Sequence, residues 1–237
     1  MTAIYKRELK SYLTSMYGAI AIAVMLLLVG YMFRYYNLYS GASSLIYAVF
    51  NSNLIFYIVV PVLTMRSFAE ERRQKTDQLL LTAPVSPLQI VLGKYFALVS
   101  VYAIPILVMC VLPLIIMPFG KELMAIDYIS ILVFFMIGCA YLAVGMFISS
   151  LTENQIIAAI GSLFFVFLTM SMHNIYSQLS SVSLGFVEKI LKCFDFYSHF
   201  ESFAYSSFNL ADLLYFISVA LVGIVLTYTI MQARRWK

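Results

Sequence analysis

Long apolar runs separated by short polar stretches make up most of this 237-residue chain. Six of the runs approach or exceed the roughly 20 residues that an α-helix needs to cross the hydrocarbon core of a bilayer. The pattern therefore predicts an all-α membrane protein with six transmembrane helices, formed as a single domain over residues 1–237. The predicted spans lie at residues 16–33, 45–65, 88–117, 128–149, 156–172 and 213–231.

Residues that interrupt the apolar pattern predict how three of the spans behave. The second span contains Asn51, Ser52 and Asn53 near its start, and their polar side chains are expected to face other helices or water. Proline removes a backbone donor and clashes with the preceding turn, so Pro105 and Pro113 predict a kinked or broken third span. Small residues in the fourth span predict the close approach of another helix. They are Gly138, Ala140, Ala143 and Gly145.

Two further stretches carry apolar residues on one side of a helix and charged residues on the other. Residues 1–15 alternate apolar and basic side chains, as at Leu9 and Lys10, and predict a helix that lies in the membrane interface. In the long connection at residues 173–212, apolar residues recur at helical spacing and predict a second amphipathic helix near the outer surface. Those apolar residues are Phe186, Val187, Ile190, Leu191 and Phe194.

The most charged stretch of the chain lies between the second and third spans, at residues 66–87. Glu70 precedes Arg73 by three residues and Glu71 precedes Lys75 by four, which are the spacings of ion pairs on a helix surface. We therefore expect a solvated helix here. Such a segment stands in water, where it can contact a soluble partner.

Local signals predict where helices stop and start on this side of the membrane. Pro84 is expected to end the solvated helix near Leu81, because the residue before a proline disfavours the helical region. Ser86, which is followed by a proline, is expected to cap the helix of the third span. Between the fourth and fifth spans, Thr152 and Gln155 have the spacing of a capping box, which predicts that Thr152 caps the fifth span.

Composition and charge support a membrane protein and orient it. Hydrophobic residues make up 63% of the chain and charged residues 11%, whereas a soluble domain has about 25% charged residues. Eleven of the 15 Lys and Arg residues fall on the side that carries both predicted termini, which the positive-inside rule assigns to the cytoplasm. They are Lys6, Arg7, Lys10, Arg66, Arg72, Arg73, Lys75, Lys94, Arg234, Arg235 and Lys237.

The sequence lacks the patterns of several enzyme and carrier classes. Neither Gly-Lys pair, at residues 93–94 and 120–121, belongs to a phosphate-binding loop, because each lacks the following Ser or Thr and the upstream glycine. We therefore expect no nucleotide site, cofactor or catalytic residue in the chain itself. His173 and His199 are isolated, so no metal site is predicted. Few carboxylates lie within the spans, which argues against an ion-coupled carrier.

Three separated motifs resemble those of ABC-2 type permeases. The first resembles the family's cytoplasmic signature and consists of Glu71-Arg72, Thr76, Leu79-Leu80, Ala83-Pro84-Val85-Ser86 and Gly93-Lys94. The family usually has Gly just before the Thr, where this chain has Lys75. Residues 149–155 resemble the family's second cytoplasmic loop. Residues 198–203 and the Asp-Leu-Leu-Tyr run at 212–215 resemble the stretch before the last span in the gliding-motility-associated branch.

The resemblance implies the permease subunit of an ATP-binding cassette exporter in the bacterial inner membrane. Two separate ATPase subunits, which bind ATP and Mg²⁺, would dock beneath two permease subunits, the second being an identical copy or a paralogue. No nucleic-acid partner is expected. The resemblance assigns residues 1–15 to an interfacial elbow helix, 66–87 to a cytoplasmic coupling segment that contacts the ATPase, and 173–212 to short re-entrant helices near the outer exit.

The candidate functional residues fall into three groups. Those expected to couple the ATPase to the spans are Glu70, Glu71, Arg72, Thr76 and Pro84. Those of the second cytoplasmic loop are Thr152, Glu153 and Asn154, and those of the outer re-entrant segment are Ser198, His199, Phe200 and Glu201. Two alternatives stay open: a non-transporting mechanical or assembly component that uses the same type of ATPase, and an ion-coupled carrier. The Tyr- and Phe-rich spans suit apolar, lipid-linked or glycan cargo equally.

Overall fold

The computed structural model describes residues 1–42, 44–76, 85–117, 125–179, 195–204 and 210–235. Within these residues every regular element is a helix, which confirms the predicted all-α class. The helices are α1 Thr2–Thr14, α2 Met16–Phe33, α3 Ile46–Asn51, α4 Leu54–Thr64, α5 Ala69–Arg73, α6 Pro87–Met109, α7 Leu112–Ile116, α8 Ala125–Leu151, α9 Gln155–Leu179, α10 Phe196–Ala204 and α11 Leu210–Arg235. Pro84 and the predicted amphipathic helix at residues 186–194 lie outside the described residues.

Five helical stretches in the described residues are long and apolar enough to cross a membrane. They are Met16–Tyr39, Pro87–Ile116, Ile126–Leu151, Gln155–Met172 and Leu210–Arg235, and they correspond to the first, third, fourth, fifth and sixth predicted spans. The first includes a π-helical turn at Arg34–Tyr39 that continues α2. Helix α9 runs beyond its predicted end at residue 172, because residues 173–179 contain neither Gly nor Pro to stop it.

The second predicted span is not one continuous helix. It is divided into α3 and α4 by a turn at Ser52 and Asn53. The Ser52 hydroxyl donates to the carbonyl of Ala48 (2.6 Å), and the Ser52 N–H bonds to Val49, one residue short of the α-helical partner. Short polar side chains compete with the backbone in this way. The apolar pattern alone therefore predicted one helix where the structure has two.

The third span is broken as predicted, at a turn before Pro113 and not at Pro105. Helix α6 ends at Met109, and α7 begins at Leu112 after a turn at Cys110 and Val111. Pro113 occupies the first turn of α7, where its missing N–H leaves no bond unmade. Pro105 lies inside α6.

Helix α8 lies at the centre of the bundle and packs against α4, α6, α9 and α11. Its small residues allow close approach, as predicted. A Cβ added at Gly138 would lie 2.2 Å from the ring of Tyr102, and one added at Gly145 would lie 2.7 Å from the hydroxyl of Thr64. Ala143 faces Gly223 of α11 in the same manner. The fold therefore depends on residues without bulk where helices cross.

Residues Thr2–Thr14 form the helix α1, which packs along α6. Its position in the membrane interface stays a prediction. Ser15 separates α1 from α2 in an extended conformation, and its side-chain oxygen accepts a hydrogen bond from the N–H of Gly18 (3.4 Å). A Cβ at Gly18 would lie 2.2 Å from the carbonyl oxygen of Tyr12, so the turn requires glycine there. The Tyr5 and Ser100 hydroxyls, 2.9 Å apart, join α1 to α6. This packing brings the charged face of α1 towards α5.

Candidate coupling site

Helix α5 is much shorter than the predicted helix, because Lys75 adopts a left-handed conformation with φ +57°. The N–H of Thr76 bonds to the carbonyl of Glu71 (2.9 Å), and that of Lys75 bonds to the carbonyl of Arg72 (3.0 Å). These two bonds form a Schellman motif, whose left-handed position usually holds Gly. The expectation that the helix runs to about Leu81 is therefore wrong: α5 ends at Arg73.

Lys75→Gly is expected to stabilise this turn, because glycine adopts positive φ without the steric cost that other residues have. Lys75→Ala is the matched control, since it removes the same charge but keeps the Cβ. We expect the amides of residues 74–76 to exchange with solvent about fivefold more slowly in Lys75→Gly than in Lys75→Ala, which corresponds to about 1 kcal/mol. Hydrogen-exchange mass spectrometry measures this difference. Equal exchange in the two variants would show that the backbone conformation is not strained.

Glu71 is held by basic residues from two other helices. Its carboxylate accepts a hydrogen bond from Arg7 of α1 (2.9 Å) and lies 2.9 Å from the ammonium of Lys94 in α6. Lys94 is also 3.3 Å from Glu8. In the described residues Glu71 forms these pairs and not the predicted one with Lys75, because the chain turns at the end of α5. Three elements therefore meet at one carboxylate.

Lys94 is the most deeply buried charge of this cluster. Only 2% of its side chain is exposed, and its ammonium donates to the carbonyl of Ser67 (2.7 Å) in addition to its two ion pairs. Burial alone would raise the pKa of the Glu8 carboxyl, but the charges of Lys94 and Arg7 outweigh it and hold that pKa below its usual range. Glu8 is therefore ionised near neutral pH and acts as a second counter-ion for Lys94.

Glu70 contacts a residue that precedes it in the chain. Its carboxylate forms an ion pair with Arg66, four residues earlier, and accepts a hydrogen bond from the Gln74 amide (3.3 Å). The predicted ion pair was with Arg73. Arg66 also stacks over the ring of Tyr17 in α2, with 4.6 Å to the ring centroid. Glu70 thus orients Arg66, which joins the start of the coupling segment to the N-terminal end of α2.

Arg72 joins α5 to the loop between α8 and α9. It donates to the carbonyl of Ser150 (3.2 Å) and forms an ion pair with Glu153 (3.0 Å). Arg72 is 14% exposed, whereas Glu153 is 70% exposed. Arg234 of α11 donates to the same Ser150 carbonyl (2.9 Å). The Ser149 hydroxyl completes the junction by accepting bonds from the backbone N–H groups at residues 68 and 69 (3.2 Å each).

Helix α9, which follows the loop at residues 152–154, is capped by a different residue from the one predicted. The N–H of Ile156 donates to the side-chain oxygen of Asn154 (2.9 Å), so Asn154 caps α9. The Thr152 hydroxyl instead donates to the Asn154 carbonyl (3.2 Å). Asn and Thr are both good caps. The capping-box spacing between Thr152 and Gln155 predicted a helix that starts at residue 153, whereas α9 starts at Gln155.

The outer candidate residues form a separate cluster around α10. Ser198 donates its N–H to the Asp195 carboxylate (3.0 Å), which caps the helix. His199 Nδ1 lies 2.6 Å from Asp212 of α11. Phe200 is buried. Glu201 belongs to α10, and its side chain lies outside the described part of the structure. Asp212 lies 22 positions before Arg234 along α11, a rise of about 33 Å, so the two clusters occupy opposite ends of the bundle.

The structure adds two residues that were not among the candidate functional residues, although Lys94 belongs to the first family motif. Glu8 and Lys94 complete the ion-pair cluster with Glu71, and a polar cavity of about 440 Å³ lies beside them between α1 and the coupling segment. A signal for each was present in the sequence. Glu8 is the one acidic residue among the basic positions of residues 1–15, and Lys94 stands inside an otherwise apolar span. A charge in such a span is expected to have a partner.

Comparison with known proteins identifies the family. The family model described as ABC-2 family transporter protein matches residues 32–232. No curated protein matches the chain significantly. The matched region extends from the end of α2 almost to the end of α11, and so includes the outer cluster and, of the ion-pair cluster, Glu71 and Lys94 but not Arg7 and Glu8. Together with the apolar helices, the match makes the chain a multi-pass membrane subunit that works with ABC ATPase subunits. The chain belongs to the ABC-2 transporter family and is a permease component, not a nucleotide-binding one.

Proposed function

We propose that the chain is the permease of an exporter, and that its ATPase partner docks on residues 73–76. These four residues are exposed at the end of α5. Glu71 and Arg72, immediately before them, are turned inward and bound to other helices. The observation that carries the proposal is this division between an exposed end and an anchored beginning of the same short segment.

The anchored residues give the docking surface a mechanical route into the spans. Glu71 contacts α1 and α6, and Arg72 contacts the loop that joins α8 to α9. A displacement of residues 73–76 would therefore be transmitted to α1, α6, α8 and α9 through charge-assisted hydrogen bonds, which are about twice as strong as neutral ones. We accordingly assign Glu71 and Arg72 to transmission inside the permease. Direct contact with the ATPase is assigned to Thr76 and its exposed neighbours.

We further propose that α3 and α4 together form a sixth crossing, with both termini in the cytoplasm of a bacterium. From Ile46 to Thr64 the pair rises about 28 Å at 1.5 Å per residue, close to the roughly 30 Å of a bilayer core. Near the C-terminus, Arg235 donates to the carbonyl of Val85 (3.2 Å), while Arg7 near the N-terminus reaches Glu71. Both ends of the chain thus meet the same segment, which supports an even number of crossings and an interfacial α1.

Two classes of charge reversal test this division of roles. Arg73→Glu and Lys75→Glu change the exposed surface, so each is expected to reduce the amount of ATPase that co-purifies in mild detergent by about tenfold. Arg72→Glu breaks the inner junction, so it is expected to retain the ATPase but to lose the change in ATP hydrolysis that the permease causes. A tenfold loss corresponds to 1.4 kcal/mol, within reach of one charged contact at an interface.

Lys10→Glu is the matched control, because Lys10 is an exposed base on the same side of the bundle. It is expected to leave both co-purification and hydrolysis unchanged. If Arg73→Glu and Lys75→Glu retain the ATPase as well as Lys10→Glu does, residues 73–76 are not the docking surface. If Glu153→Arg restores coupling to Arg72→Glu, the transmission route through this pair is supported directly.

A further inference from the structure

The turn between α3 and α4 lies deep in the proposed membrane region. Helix α4 has 11 residues, so Asn53 stands about 16 Å above its cytoplasmic end at 1.5 Å per residue, near the middle of a bilayer. Non-helical backbone at that depth is tolerated only where it is buried in protein or lines a cavity. A cavity of about 250 Å³ opens beside this turn, between α3, α4, α9 and α10.

The lining of this cavity combines aromatic rings with neutral amides. Phe50, Tyr57 and Tyr197 supply the rings, and Asn51 and Asn53 supply the amides. None of the lining residues in the described part of the chain is charged. The rings are held in place by one another, since Phe50 stacks on Phe200 of α10 at 5.0 Å between centroids and meets the edge of Tyr197 at 5.1 Å. The wall therefore presents a fixed aromatic surface beside hydrogen-bonding groups.

The amide of Asn53 has a hydrogen-bonding atom that the described structure does not pair. The side-chain oxygen of Asn53 is buried and has no hydrogen-bond partner in the described part of the chain. Asn51 donates its amide N–H to the carbonyl of Tyr47 (2.8 Å). A buried polar group without a partner is costly and needs an explanation in a native structure. In the described part of the chain, an oxygen without a partner therefore belongs to a residue that lines the cavity.

We propose that this cavity is a cargo subsite that binds a neutral, hydroxyl-rich group such as a sugar unit. The inference rests on the proposed exporter function and adds a cargo class to it. The hydroxyls of a sugar would bond to Asn51, Asn53 and the hydroxyl of Tyr57. The C–H face of its ring, which carries partial positive charge, would pack on the negative faces of the aromatic rings. Pockets of this kind bind through apolar walls with a few placed polar groups.

Other occupants fit the lining less well. A hydrocarbon tail would fill the aromatic part but would leave both amides without partners. An ionised group would find no counter-charge at this depth among the lining residues that the structure describes. The shared chemistry is that of a neutral sugar, whether it belongs to a free oligosaccharide or to the head of a glycolipid.

The test measures probe binding to purified protein in phospholipid nanodiscs by saturation-transfer NMR, with empty nanodiscs as the blank. Maltotriose represents a free oligosaccharide, octyl glucoside below its micelle concentration represents a lipid-linked sugar, and glucose 6-phosphate is the charged comparison. Asn53→Leu keeps the size of the side chain but removes its hydrogen bonds. Tyr57→Phe removes a single hydroxyl, and Tyr31→Phe is the matched control on the exposed surface of α2.

We expect saturable binding of at least one neutral probe, weakened about tenfold by Asn53→Leu and about threefold by Tyr57→Phe, and unchanged by Tyr31→Phe. Binding of octyl glucoside alone assigns the site to a glycolipid head, and binding of maltotriose as well assigns it to a free glycan. Absence of saturable neutral binding, equal binding of glucose 6-phosphate, or no effect of both Asn53→Leu and Tyr57→Phe would overturn the proposal.

Two features of this test keep its outcome separate from that of the coupling proposal. Tyr57→Phe still tests the site if Asn53→Leu does not fold, which size-exclusion chromatography reveals. The measurement uses no ATPase and no nucleotide. Loss of sugar binding therefore leaves the docking of an ATPase on residues 73–76 untouched, and a failure of co-purification leaves the cavity proposal intact.

Discussion

Lys94→Met is expected to lower the free energy of unfolding by about 3–5 kcal/mol, the usual cost of removing one partner from a buried ion pair. The Lys94 ammonium lies 2.9 Å from Glu71 and 3.3 Å from Glu8. Methionine retains most of the apolar stem, so the loss is one of charge. Without the ammonium, the two carboxylates, which are 18% and 12% exposed, share only Arg7. Denaturant titration in detergent micelles measures the change.

Lys10→Met is the matched control for this substitution, because Lys10 is exposed and its loss is expected to change stability by less than about 0.5 kcal/mol. A double-mutant cycle with Glu71→Gln separates the pair from the rest of the cluster. We expect a coupling energy of about 1–3 kcal/mol between Lys94 and Glu71, as for other residues in one ion-pair network. A coupling energy near zero would contradict the central place given to this pair.

The ion-pair cluster also explains why the coupling segment can be so short. A five-residue helix is not stable alone, because helix nucleation is unfavourable and one turn adds few hydrogen bonds. Here α5 is held by Glu71 on one side and by Arg72 on the other, and its end is closed by the left-handed Lys75. Tertiary contacts replace the local helix propensity, and these contacts are also the ones through which we propose that movement passes.

Features with a local cause could be predicted from the sequence. Apolar runs placed five of the helices, because the length of a membrane-crossing helix is set by the bilayer. Ser86 caps α6 as predicted, with its oxygen accepting the N–H of Gln89 (3.4 Å), because a cap and its helix are neighbours in sequence. The small residues of α8, such as Gly138, predicted a close helix contact, although Tyr102 could not be named as the partner in advance.

Features that depend on residues far apart in the sequence could not be predicted from it. Arg7 and Glu71 are 64 positions apart, so the spacing rules for helices favoured Lys75 as the partner of Glu71. Those rules require the helix to continue, and it does not. The second span shows a different limit: hydropathy indicated one helix, whereas the hydroxyl of Ser52, a local cause that the apolar pattern does not contain, divides it. In both places the error occurs where the structure carries a candidate functional surface, at the coupling segment and beside the proposed cargo cavity.

Gly223→Ala is expected to destabilise the bundle by about 1–3 kcal/mol, the range found when a well-packed core is overfilled. The added Cβ would lie 2.9 Å from the carbonyl carbon of Ala143 and 3.0 Å from its oxygen. Both are backbone atoms of α8, which is buried on several sides and cannot move away locally. Helices α8 and α11 would have to separate along their contact. Thermal unfolding in nanodiscs, compared between wild type and variant, measures the loss.

Gly30→Ala makes the same chemical change but is expected to stabilise the protein. Nothing lies within 4 Å of a Cβ built at Gly30, which is exposed on α2. Alanine there gains about 0.5–1 kcal/mol of helix stability, because glycine loses more backbone entropy on folding. The two variants should therefore shift stability in opposite directions. If Gly223→Ala is neutral or stabilising like Gly30→Ala, the α8–α11 contact is looser than described, and the route from Arg234 at the end of α11 to Ser150 at the end of α8 would lose its rigid support.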